Sequence, residues 1–124
     1  MSSEKKIREL EARHKSLITK LLQKRPMIRG TLGQAYRRCG KPTCWCARGE
    51  GHPYLRITWT EQAQSKIKMV RKEDAKWVKK VTDNYRAFRK RRAELRKVHE
   101  ELNKLLNRFE QEVIAETRQQ NPEF

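Results

Sequence analysis

The chain's three cysteines lie within a single stretch of eight residues, and a histidine follows them closely. Their spacing is C-x4-C-x-C-x5-H, with members Cys39, Cys44, Cys46 and His52. Thiolate and imidazole are the donors that zinc prefers, and a Cys3His set fills a tetrahedron without leaving a coordination position for substrate. The sequence therefore predicts a structural Zn2+ site, with Glu50 or a water as the alternative fourth ligand.

Other roles for the cysteines stay open. Three thiols cannot all pair within one chain, and no apolar secretory segment precedes them, so a reducing cytoplasm is expected. Reduced structural thiols are one alternative. A redox or catalytic cysteine is another, because Arg38, Lys41 and Arg48 would lower a thiol pKa. No nucleophile and base arrangement, carboxylate pair or phosphate-binding glycine motif is visible, so we predict a protein that is not an enzyme.

The charge of the chain is far from neutral. Its 124 residues carry a net charge of +16, with 37% charged and 35% hydrophobic residues. Such a chain builds only a thin core and is typical of a protein that binds a polyanion. We expect nucleic acid as the partner, DNA before RNA, in the cytoplasm or associated with the nucleoid. No apolar run is long enough to span a membrane, and no membrane partner is expected.

The N-terminal segment, residues 1–26, has the pattern of an amphipathic helix. Its apolar stripe follows heptad spacing and includes His14, with Ile7, Leu10, Leu17 and Leu21. Pro26 prevents the helix from continuing. We therefore predict a helix over residues 4–24 that packs against another helix.

Residues 27–71 show period-two alternation typical of three antiparallel strands, and the cysteine loop joins the first two. With a loop at 61–65, one face is expected to be buried and to contain Leu55, Ile57, Trp59, Ile67 and Met69. The opposite face is expected to present Tyr54, Arg56, Thr58, Thr60, Lys66 and Lys68 to phosphates. An ordinary solvated sheet face is the alternative.

The sequence pattern predicts one long helix over residues 72–118, followed by a C-terminal tail at residues 119–124. Its heptad seam is typical of a coiled coil and comprises Val81, Tyr85, Phe88, Leu95, Leu102, Leu106 and Phe109. Polar Arg92 and His99 within the repeat would select register or partner. We expect a homo-oligomer, most simply a dimer, and a possible protein partner for the acidic last quarter of the chain.

Basic residues are dense beside the cysteines and along the long helix, where bases at 86–97 are opposed only by Glu94. Such density favours phosphate contact over a merely solvated charged face. The predicted nucleic-acid-binding residues are Arg37, Arg38, Lys41, Arg48, Tyr54, Arg56, Lys66, Lys68, Lys72, Lys76, Arg86, Arg89, Lys90, Arg92 and Arg96.

Three segments resemble an uncharacterised prokaryotic family of small Cys-rich proteins. They are YRRCGKPTCWCARG at residues 36–49, GHPY at 51–54 and NYRAFR at 84–89. The resemblance implies that the Cys/His cluster is a unit, but it implies no activity. In element order, three strands followed by a helix are also similar to small modules that recombinases lay against DNA.

The sequence predicts an α+β fold: an N-terminal helix, a small antiparallel β-meander with a Cys3His metal loop, and a long C-terminal coiled-coil helix. The predicted function is zinc-stabilised binding of nucleic acid by an oligomer. The alternative is an accessory or scaffold subunit of a larger nucleoprotein complex of mobile-element or recombinase type.

Overall fold

A computed structural model describes residues 2–124. The chain forms helix α1 (Ser3–Leu21), strands β1 (Thr31–Arg37), β2 (His52–Glu61) and β3 (Gln64–Val70), and helix α2 (Ala75–Gln120). Short 3-10 turns lie at Trp45–Arg48 and Lys72–Asp74. The predicted α+β fold, with one helix before a three-stranded antiparallel sheet and one long helix after it, is confirmed.

Helix α1 begins after Ser2, whose extended backbone (φ −74°, ψ 148°) suits an N-cap, and Glu4 in the first turn matches the positive end of the helix dipole. It ends at Leu21, earlier than the predicted residue 24. Ser3 is buried, and its Oγ donates to Glu112 Oε1 at 2.7 Å. This hydrogen bond satisfies a hydroxyl that would otherwise be costly to remove from water.

The sheet is a meander in the order β1-β2-β3, with both pairs antiparallel. Strands β2 and β3 are joined by only two residues, Gln62 and Ala63, both with left-handed backbone angles (φ 49° and 62°). Two successive residues with positive φ are typical of the tight hairpin turn that matches the natural twist of the strands. Glu61 therefore pairs with Gln64.

This tight turn makes the predicted division of the sheet faces wrong. Residues directly opposite in an antiparallel pair share a face, and Lys68 lies opposite Ile57 whereas Met69 lies opposite Arg56. A loop at 61–65 would have shifted the pairing by one residue, which moves every β3 side chain to the other face. Ile67 and Met69 consequently lie beside Thr58 and Arg56, whereas Lys66 and Lys68 lie beside Trp59 and Ile57.

The face that contains Ile57 carries the core of this part of the chain. Ile57, Val70 and Val78 are buried together, and four partly buried residues pack against them: Ile28, Leu32, Leu55 and Trp59. The chain before β1 is fixed to α2 by two hydrogen bonds. The Ile28 N–H donates to the Val81 carbonyl at 3.2 Å, and Asn84 Nδ2 donates to the Pro26 carbonyl at 2.9 Å.

We call the other side of the sheet the open face and define it by Arg37, Tyr54, Arg56, Ile67 and Met69. The strand register places these residues on one side, because Arg37 lies opposite His52 and Arg56 opposite Met69. Ile67 and Met69 are exposed, while Tyr54 and Arg56 are half-buried. The open face thus mixes guanidinium, aromatic and apolar side chains.

The described residues form two compact units, one of residues 2–24 with 88–124 and the other of residues 25–87. In the helical unit Leu17 and Val98 are buried, and His14 Nε2 lies 3.2 Å from His99 Nε2. Along the predicted seam of α2, Val81 is buried and Tyr85, Phe88, Leu95 and Leu102 are half-buried, whereas Leu106 and Phe109 are exposed. The coiled coil itself stays a prediction.

Within residues 2–124, neither helix combines the length and the apolar composition that crossing a membrane requires.

Candidate metal centre

Strand pairing brings the four predicted metal ligands together. Cys39 follows the end of β1, His52 begins β2, and the register that sets Arg37 opposite His52 holds these two strand ends side by side. The intervening loop returns Cys44 and Cys46 through the 3-10 turn at Trp45–Arg48. The sheet therefore supplies the rigid base, and the loop closes over it.

The ligand atoms are close enough to share one ion. The three Sγ atoms and a ring nitrogen of His52 all lie within 4.8 Å of one another. Cys39 Sγ is 3.4 Å from Cys46 Sγ, and Cys44 Sγ is 3.3 Å from His52 Nε2. Two thiolates on a tetrahedral zinc would lie about 3.8 Å apart. The arrangement therefore fits a tetrahedral Cys3His metal site, and Glu50, the alternative ligand, is exposed and outside the group.

Gly51 allows the second strand to start this close to the first. Its φ is +109°, and a Cβ there would lie 2.5 Å from the Arg37 carbonyl carbon and 2.7 Å from the Arg38 nitrogen. No side chain can occupy that space without moving the backbone. Glycine at this position is thus a condition for bringing His52 to the cysteines.

The loop favours a thiolate at Cys39. A backbone hydrogen bond from Lys41, followed by side-chain hydrogen bonds with Cys46 and His52, lowers the pKa of Cys39 from 9.0 to about 6. The ligand form of cysteine is the thiolate, so a lowered pKa reduces the proton competition that a metal ion must overcome.

Cys46 is fully buried and behaves differently. The Cys39 N–H donates to Cys46 Sγ at 3.3 Å, which lowers the pKa of Cys46, but desolvation and the nearby Cys39 sulfur outweigh this and leave that pKa raised. Burial disfavours a second uncompensated negative charge beside the first. A cation among the sulfurs would remove this conflict.

A side chain that the sequence interpretation did not single out stands beside the ligands. Trp45 is 64% exposed, and its ring lies edge-on to His52 with 4.9 Å between ring centroids and 70° between ring planes. The sequence did contain a signal for this exposed ring, because Trp45 lies between two candidate ligands in a polar loop that could not bury an indole.

Next to the ligands, the surface contains a hollow of about 360 Å³ lined by Arg37, Arg38, Cys39, His52, Pro53, Tyr54 and Met69. Three members of the open face therefore share a cavity with two of the candidate metal ligands. The metal loop and the open face form one continuous surface.

The basic candidate residues lie at the surface, but not on one sheet face. All of the predicted lysines and arginines are exposed except half-buried Arg56. Arg37, Arg56 and Tyr54 belong to the open face, whereas Lys66 and Lys68 lie on the side of Ile57. Among the residues that the structure describes, none of these candidates forms an ion pair with a carboxylate.

The family model described as "Domain of unknown function (DUF6788)" matches residues 4–80, which include α1, the sheet and all four candidate ligands. The expected resemblance to a family without an assigned role is confirmed at that level, and the residue signature itself stays a prediction. No curated protein and no solved structure matches the chain.

Proposed function

The chain belongs to DUF6788, and we propose that it is a non-enzymatic, zinc-stabilised protein that binds nucleic acid through its phosphates. One observation carries the proposal: within residues 2–124, exposed arginines and lysines that form no ion pair with a carboxylate lie next to the Cys3His loop, in a chain of net charge +16. Unpaired cations at this density repel one another, and a polyanion removes that repulsion.

Zinc is the metal that the donor set favours. Three thiolates and one imidazole are soft or borderline ligands, whereas magnesium and calcium require oxygen ligands. Four protein ligands complete a tetrahedron, so the ion has a structural role and holds β1, β2 and the loop together. This supports a binding protein rather than an enzyme.

Two basic surfaces would contact phosphates. The first is formed by Arg37, Arg38 and Arg56 with Lys41 and Arg48 around the metal loop. The second is the stripe on α2 at residues 86–97, where Arg86, Arg89, Lys90, Arg92 and Arg96 are exposed. Guanidinium groups suit this task because they form paired hydrogen bonds to phosphate oxygens.

Oligomerisation through α2 is part of the same proposal. Leu106, Phe109, Val113 and Ile114 are exposed apolar residues at helical spacing. A second copy of the chain that pairs along this stripe would bury them and extend the heptad seam beyond Leu102.

A second candidate function rests on the same end of α2. Residues 98–124 carry three bases and six acids, which repel nucleic acid, and the apolar stripe lies among them. An accessory subunit would use this end to dock another protein of a nucleoprotein complex. The purified chain would then stay monomeric and bind nucleic acid weakly until that partner is added.

A salt titration tests the proposed function. Binding of a fluorescent oligonucleotide is measured by anisotropy across a range of salt concentrations. Affinity should fall steeply, by about a thousandfold or more between 50 and 200 mM salt if six to ten phosphates are contacted. An affinity that does not change with salt would contradict the proposal.

A pair of double variants provides the control for this titration. Arg89→Gln/Lys90→Gln removes two charges from the proposed stripe and should lower the salt slope by about two. Lys5→Gln/Lys6→Gln removes the same charge from exposed positions of α1 and should leave the slope unchanged. If both double variants lowered the slope equally, the stripe would contribute only through the net charge of the chain and not as a specific contact surface.

A further inference from the structure

The open face exposes more apolar surface than phosphate binding requires. Ile67 is 61% exposed and Met69 is 54% exposed, although both belong to a well-formed strand next to a buried core. Single exposed apolar residues are ordinary, but these two lie directly opposite Thr58 and Arg56, and Met69 lines a hollow together with Tyr54. Such a patch suggests a ligand that has apolar faces as well as charges.

Trp45 extends this patch beyond the strands. The indole meets the ring of His52 edge-on, and His52 begins β2 on the same side as Tyr54 and Arg56. Metal binding would fix His52, and the indole packs against His52 while most of its own surface remains open to solvent. A rigid exposed ring loses little conformational entropy when a planar group stacks on it.

Cations lie beside the metal loop, and a contact with the loop backbone fixes one of them. Arg38 Nε donates to the Gly49 carbonyl at 3.0 Å, which orients the guanidinium and leaves its terminal N–H donors for a ligand. Arg37 and Tyr54 line the hollow next to His52. The hollow therefore offers apolar side chains and phosphate donors, and Trp45 is connected to it through its contact with His52.

Unpaired nucleotides are the ligand that matches all three features. A duplex presents phosphates and base edges, but it hides the base faces in its stack, so an exposed indole and apolar side chains would gain little from it. In single strands every base has a free face, and aromatic side chains on a sheet or loop stack with it.

We propose that Trp45 and the open face form a binding site for unpaired nucleotides, so that the chain prefers single-stranded nucleic acid to duplex. The inference rests on the proposed function, since it specifies the form of nucleic acid that the basic surface accepts. Single-stranded DNA and RNA share the required chemistry of a planar base and a phosphate. A protein partner on this surface is the competing occupant.

The test compares the affinities of the chain for single-stranded oligothymidylate, single-stranded oligouridylate and a duplex DNA hairpin at one salt concentration. Wild type should bind at least one of the single strands more tightly than the duplex. Trp45→Ala should weaken that binding about fivefold to a hundredfold, the range expected when one stacked base loses its partner, and should change duplex binding little. Ile67→Ser, which changes a residue outside the candidate metal group, should also weaken single-strand binding.

Trp77→Ala is the matched control, because Trp77 is also strongly exposed (57%) but belongs to α2 outside the open face. Its affinities should stay within about twofold of wild type. Metal content and circular dichroism verify that each variant is folded. If Trp45→Ala does not fold, Ile67→Ser still tests the inference.

Two results would overturn the inference. One is tighter binding to the duplex than to either single strand. The other is that Trp45→Ala and Ile67→Ser weaken single-strand binding no more than duplex binding. If neither variant weakens either, the surface is left to a protein partner. In either case steep salt dependence in the wild type would still support the proposed function, so the two failures can be told apart.

Discussion

At the scale of single residues, the grouping of the candidate metal ligands was predictable and the glycine that allows this grouping was only partly so. Cys39, Cys44, Cys46 and His52 are recognisable because soft donors are concentrated in a short loop. A sharp loop also predicts glycines, but not which one the backbone requires. Only the close approach of the Arg37 carbonyl identifies Gly51 as that residue.

Gly51→Ala should destabilise the sheet and metal loop by about 2 kcal/mol or more, because the new Cβ meets backbone atoms and the positive φ is unfavourable for alanine. Gly49→Ala is the matched control in the same loop, since nothing lies within 4 Å of its added Cβ and its φ is −134°. Urea unfolding followed by tryptophan fluorescence measures both. Equal midpoints for the two variants would refute this role of Gly51.

Cys46→Ser should strongly weaken metal retention, because the sulfur is fully buried and neither solvent nor a neighbouring side chain can replace it as a ligand. We expect metal affinity to fall by about a hundredfold or more when one of four structural ligands is lost. Competition with a chromogenic chelator measures the affinity. His99→Asn, which changes a histidine outside the group, should retain the metal at the wild-type level.

At the scale of elements, the sequence predicts where the helices and strands lie but misassigns the faces of the sheet. Alternation locates β2 and β3 correctly, yet alternation alone leaves the register undefined. The register depends on the turn, and Gln62 and Ala63 are not the asparagine and glycine that normally mark a two-residue hairpin. The open face therefore could not be recognised before the structure.

The contact between His14 and His99 should couple the two helices of the helical unit. The sequence placed both residues in seam positions, and their rings meet edge to face with 4.7 Å between centroids. In a double-mutant cycle with His14→Ala and His99→Ala, we expect a coupling free energy of about 0.5 to 1.5 kcal/mol from urea unfolding. His14→Ala with Thr117→Ala serves as the distant pair and should be additive. A coupling near zero for the histidines would contradict this contact.

At the scale of the whole molecule, the amino-acid composition predicts a polyanion partner. The proposed oligomer depends on which surface of α2 is exposed, and the heptad pattern alone does not identify that surface. Val98 is buried although it lies outside the predicted seam, whereas Leu106 and Phe109 are exposed although they belong to it. The heptad pattern therefore does not identify which stripe of α2 is buried within the chain. The exposed stripe is the part available to the proposed second copy.

Leu106→Glu/Phe109→Glu should convert the proposed dimer into a monomer of 14.9 kDa, because two carboxylates would be buried at the shared stripe. Light scattering after size exclusion measures the mass. Leu22→Glu introduces a charge at another strongly exposed leucine and should leave the dimer intact. A wild-type chain that is already monomeric would instead favour the accessory-subunit function.

The central claim is that a metal ion fixes the loop and sheet from which the basic surface is built. The most direct measurement is elemental analysis of the purified chain, combined with circular dichroism during chelation. We predict about one zinc per chain, and loss of the β-sheet signal before the helical signal of α2 when zinc is removed. A metal-free preparation that keeps its sheet intact would contradict the account.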